Sequence, residues 1–163
     1  MTSRNTSTMY EASLNETWNS FAAHLSGNRL GTFAVLSTRP LPERARTACA
    51  KSCEALGYGP DGTVFAHLEA DNADATDAPA TLDPKALFTL LEGLDPLCVV
   101  CADRPCAEAL SACYRAPIPL GELKALFGRP SVAFDDLDGL LETDAGKQQA
   151  WATLKQIPKF HER

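Results

Sequence analysis

The chain has 163 residues, 45% hydrophobic and 22% charged, which is enough apolar content for one packed core and excludes a wholly disordered chain. Its formal net charge of -6 disfavours a protein that coats nucleic acid, since such a surface needs clustered Lys and Arg. No apolar run approaches the ~18–20 residues that span a bilayer. The polar start carries no apolar stretch behind Arg4, so a secretory leader is not expected and the protein is expected in the cytoplasm.

In chain order, residues 1–9 read as a frayed tail and 10–160 as one α/β domain. Ser13-Leu14-Asn15-Glu16 has the form of a capping box, and Leu14, Trp18, Phe21, Ala22 and Leu25 follow at helical spacing up to Gly27. Thr32 to Leu36 is a short apolar run that predicts a buried strand. Pro40 and Pro42 open a helix over about 42–56, stopped by Gly57. Pro60-Asp61-Gly62 predicts a turn and Thr63–Leu68 a second strand, followed by an exposed acidic loop from Asp71 to Ala80. Asp83-Pro84 caps a helix that runs to Gly93. Leu97–Cys101 predicts a third strand, and Asp103-Arg104-Pro105 opens a helix through Tyr114. A short helix is predicted over 119–127, a weak fourth strand at Ser131–Phe134 and a last helix over about 143–157. Strands separated by helices, without polar alternation, predict a three-layer α/β/α fold on a mainly parallel sheet of about four strands.

Open parallel sheets bind ligands beyond the carboxyl ends of their strands. Those ends place Ser37, Thr38 and Arg39, then Glu69 and Asp71, then Asp103 and Arg104, then Asp135, Asp136 and Asp138 around one crevice. Clustered carboxylates there could hold a hard cation, or could simply cap helices, as Asp103 before Pro105 would. Thr38, Arg39, Asp103 and Arg104 could instead bind the phosphate and sugar hydroxyls of a small nucleotide.

The cysteines give no ligand set. Cys98 and Cys101 are three apart in a strand and should face opposite ways. Cys49 with Cys53, and Cys106 with Cys113, share helix faces as small core residues do. In a reducing compartment all six are expected as thiols. His24, His67 and His161 lie on a helix, in a strand and in the tail, none beside a strand-end loop. The chain lacks the glycine-rich phosphate loops, the nucleophile elbow and the paired-histidine zinc motif. No cofactor is implied. Trp18 and Phe21 on the first helix could dock another protein or pack on the sheet.

The stretch Asp136-Leu137-Asp138-Gly139-Leu140-Leu141, continuing to Lys147, Trp151 and Leu154, resembles the end of the uracil-DNA glycosylase superfamily, especially its iron–sulfur branch. Asp95-Pro96-Leu97-Cys98-Val99-Val100 and the Ala-rich helix after it resemble that family's third strand and helix. The resemblance implies the family's fold but not its chemistry. The catalytic His of the family falls on Asp136, its Pro on Leu137 and its Ser on Asp138. The usual Gly-Glu-Ala-Pro-Gly of the first strand is replaced by Ser37-Thr38-Arg39-Pro40-Leu41. An aspartate where a histidine should stabilise departing uracil opposes the developing negative charge. The implied function is a non-catalytic relative acting as an interaction or accessory module. The same general fold serves non-enzymatically in a small subunit of the bacterial clamp loader.

Overall fold

The computed structural model describes residues 13–70 and 81–160. Helix α1 (13–20) and a 3-10 turn (Ala22–His24) lead into β1 (Leu25–Gly27), β2 (Phe33–Ser37), α2 (Glu43–Ala55) and β3 (Thr63–His67). Then come α3 (Pro84–Leu94), β4 (Cys98–Cys101), α4 (Arg104–Tyr114), β5 (Lys124–Leu126) and β6 (Arg129–Ala133). Helices α5 (Leu137–Leu140) and α6 (Asp144–Leu154) close the described chain.

Successive strand side chains point to opposite faces, and here both faces are dry. All residues of β2, β3 and β4 are buried. Phe33, Val35, Phe65, Cys98 and Val100 enter one core with α2, α5 and α6, through residues such as Cys49, Leu137 and Leu154. Ala34, Leu36, Val64, Val99 and Cys101 enter the other with α1, α3 and α4, through Leu14, Leu90 and Leu110. Helices therefore cover both faces.

The sheet has six strands in the order β1-β3-β2-β4-β6-β5. The inner four pair in parallel, with Val35 opposite both Phe65 and Val100, and Val100 opposite Val132. The two rim strands are antiparallel. The expected four-stranded, mainly parallel sheet is thus corrected to a six-stranded mixed one, with the four expected strands at its centre. Leu25, read as helical, is β-paired with Ala66, because the edge of β3 needs backbone partners. The helix expected over 119–127 is replaced by a hairpin. Phe127 and Gly128 both have positive φ, 51° and 81°, and form the two-residue turn whose twist suits antiparallel strands. The expected tail and the whole acidic loop from Asp71 to Ala80 lie outside the described residues.

The helix ends are fixed as their residues require. Asp83, Asp103 and Thr143 accept hydrogen bonds from the N–H groups of Ala86, Cys106 and Gly146. Arg129, at the start of β6, gathers the far end of the domain. Its Nη1 donates to Glu92 Oε2 (2.7 Å), its Nη2 to Asp95 Oδ1 (2.8 Å) and its Nε to the Pro96 carbonyl (2.9 Å). Tyr114 Oη donates to the same Glu92 oxygen at 2.8 Å, so one carboxylate joins α3, α4 and β6.

The hydrogen bond from Arg129, then that from Tyr114, holds the Glu92 carboxyl below its ordinary range. A depressed carboxylate stabilises the fold above its unfolded pKa, about 4.3, and loses that contribution as pH falls through the folded value. Arg129→Gln should therefore lower the melting temperature at pH 7 and make stability less dependent on pH below about 5, read by thermal melts across pH. Gly146 sits in the first turn of α6, where an added Cβ would collide with the Leu140 carbonyl oxygen. Alanine gains about 1 kcal/mol in helix propensity, but overpacking against backbone costs roughly 1–3 kcal/mol. Gly146→Ala should thus be destabilising, as measured by urea unfolding.

Candidate functional site at the strand ends

The parallel strands, taken along the sheet, run second, first, third, fourth in chain order, so the winding reverses between β2 and β4. That reversal is where an open sheet of this kind presents a crevice, because the flanking connections leave to opposite faces. Here α2 covers one face and α4 the other. A cleft of about 600 Å³ opens above this point. Thr38, Arg39, Glu69, Asp103, Asp136 and Asp138 line it, drawn from the ends of all four parallel strands. Six of the ten expected crevice residues are brought together, and four are not. Ser37 is buried beneath the cleft, its Oγ donating to the Arg39 carbonyl at 2.6 Å. Arg104 and Asp135 pair with each other at 2.6 Å outside it. Asp71 lies outside the described residues.

Each carboxylate of the cleft is already engaged. Asp103 is the N-cap of α4: its Oδ1 accepts from the Cys106 N–H (2.9 Å) and from the Thr38 hydroxyl (2.6 Å). Its Oδ2 accepts from the Thr38 N–H at 2.8 Å. Asp136 Oδ1 accepts from the Gly139 N–H at 3.1 Å and caps α5. Asp138 is held by Arg44, whose Nε reaches Oδ1 at 3.1 Å and whose Nη2 reaches Oδ2 at 3.0 Å. Arg39 Nε stands 3.5 Å from Glu69 Oε2 with 81% of its side chain exposed. The hydrogen bond to Asp138 raises the pKa of Arg44, and that to Asp135 raises the pKa of Arg104, so both guanidinium charges are fixed by their partners.

In the cleft, four carboxylates face one arginine. Among the described residues no group of three His, Cys, Asp or Glu side chains is placed to hold a metal ion. Cys98 and Cys101 point to opposite faces of the sheet, and Cys49 and Cys53 share one core. Burial pushes the Cys49 and Cys98 thiols up to about 12 and Cys113 to about 11, so these three stay protonated near neutral pH. His67, read as an interior strand residue, is the last residue of β3. Its Nδ1 donates to the Glu69 carbonyl (2.7 Å) while His24 Nδ1 donates to the carbonyl of His67 (2.9 Å). Both rings are buried and serve the backbone. Arg44, the partner of Asp138, carries no signal in the sequence that links it to the strand ends.

The residues of the C-terminal resemblance divide between core and surface. Leu141 and Leu154 are buried, while Lys147 and Trp151 are exposed on α6. No family model and no curated protein matches the chain.

Asp103 is the residue on which the cleft geometry rests. Removing a cap costs about 0.5–2 kcal/mol, and each lost hydrogen bond to a charged group about 1.5–3 kcal/mol. Asp103→Ala should destabilise by roughly 2–4 kcal/mol in guanidinium unfolding. Asp103→Asn should lose less, because its amide oxygen still accepts from Cys106 and the Thr38 hydroxyl. A change within error for Asp103→Ala would show that the three contacts do not hold the loops.

Proposed function

We propose that this chain is a non-catalytic protein with a uracil-DNA-glycosylase-like fold that acts as an interaction or accessory module. The observation that carries this reading is the engagement of every cleft carboxylate with a group of the protein itself. Asp136, at the position of the family's histidine, caps α5 and offers negative charge where a leaving uracilate would need a donor. Thr38, in the first-strand motif, spends its hydroxyl and its N–H on Asp103. The acidic lining would also repel DNA phosphates. Trp18 and Phe21, weighed as a docking surface, are half-buried against the α3 and α4 side of the core, so the reading does not lean on α1. Among the described residues no helix is long and apolar enough to cross a membrane.

The alternative, a small phosphorylated ligand at the same cleft, draws on exposed Arg39. It is weakened because Arg104 turns away to Asp135 instead of converging with Arg39. The test uses purified protein with uracil-containing single- and double-stranded DNA, alongside calorimetric titration with a nucleoside monophosphate and with inorganic pyrophosphate. No uracil release and no heat above dilution are expected. Uracil release lost in a cleft variant would overturn the non-catalytic reading. Saturable heat lost in Arg39→Ala would replace it with the phosphorylated-ligand reading.

A further inference from the structure

On the face opposite α3 and α4, helices α2 and α6 stand apart over α5 and leave a groove of about 320 Å³. Its walls are two helical stripes. Arg44, Ala48 and Lys51 line it from α2, and Lys147, Ala150, Trp151 and Leu154 line it from α6. Each stripe repeats at three- and four-residue steps and spans seven residues, a length of about 10 Å along each helix. Leu137 and Leu141 form the floor. The lining holds no carboxylate, although the chain as a whole carries a charge of -6.

The cations sit at the rim and the apolar groups at the base. Lys51 makes no ion pair among the described residues, and Lys147 has only Asp144 one turn back at 3.9 Å. Arg44 closes one end, fixed on Asp138. Trp151, with 39% of its surface exposed, stands on the wall. An aromatic anchor beside an apolar floor is the composition of residues that dominate binding at protein interfaces. A channel two helical turns long between two helices accepts the apolar ridge of a third helix.

We propose that this groove docks an acidic amphipathic helix of a partner protein, with its apolar ridge against Trp151 and Ala48 above the buried Leu137 and Leu141, and its flanking carboxylates on Lys51 and Lys147. This rests on the reading of the chain as an interaction module and names the chemistry of its partner. Charge complementarity selects the occupant: a basic helix would meet the same apolar floor but a rim of like charge.

The test uses two synthetic helical peptides with one apolar pattern, leucines at i, i+4 and i+7. One is flanked by glutamates and the other by lysines. Binding to the full chain is read by fluorescence anisotropy of the labelled peptide and by amide chemical shifts. The acidic peptide should bind and shift resonances of α2 and α6, with affinity falling as salt rises. The double variant Lys51→Glu/Lys147→Glu should weaken it by about five- to tenfold or more and strengthen the basic peptide. Trp151→Ala should weaken it by roughly tenfold or more. All three positions are exposed, and far-ultraviolet circular dichroism checks that the variants fold. Equal binding of the two peptides, indifference to the rim variants, or no binding of the acidic peptide would each overturn the proposal. Self-association abolished by Trp151→Glu would overturn it in favour of a second copy as occupant. A failure here with no uracil release in the glycosylase assay removes the groove alone, whereas uracil release removes the module reading whatever the peptides do.

Discussion

One carboxylate ties together the loops that leave the two central strands in opposite directions. β2 and β4 are neighbours in the sheet, yet the chain leaves β2 for one face and β4 for the other. Asp103 accepts the N–H and hydroxyl of Thr38 from the first loop and the N–H of Cys106 from the first turn of α4. In an open sheet this is the place where a ligand's oxygens would meet backbone N–H groups. Here a side chain of the protein occupies that role, and the chemistry of the cleft follows from it. A group already satisfied by three donors has little left to offer a metal, a base or a substrate.

The same economy governs the other strand-end residues, and it separates charge across the molecule. Glu69, Asp103, Asp136 and Asp138 collect at the carboxyl ends of the strands. Arg44, Lys51 and Lys147 collect over the seam between α2 and α6. A net charge of -6 conceals this division, because a sum carries no direction. Arg44 is the hinge between the two regions: it lines the groove while its guanidinium neutralises Asp138 at the border of the cleft.

The central architecture was legible because its signals are local. Four short apolar runs gave the four parallel strands, and Asp83 and Asp103 before prolines gave two caps that the structure contains. The opposite facing of Cys98 and Cys101 followed from strand geometry alone. The rim strands were missed because three residues contain no measurable period. Leu25 and Leu126 are buried in either a helix or a strand, so burial did not arbitrate. The crevice could be located from strand ends, but its chemical state could not. Thr38 meets Asp103 across 65 residues and Arg44 meets Asp138 across 94, distances over which spacing carries no information.

Both rims of the sheet end in antiparallel strands of only three residues, β1 beside β3 and β5 beside β6. Gly27, at φ 89°, bends the chain away at one rim, and the Phe127-Gly128 turn does so at the other. An unpaired strand edge is a template on which another chain can add itself and propagate aggregates. Short terminating strands leave too little free backbone to seed such growth. Extension of the sheet by another chain is therefore disfavoured at both rims.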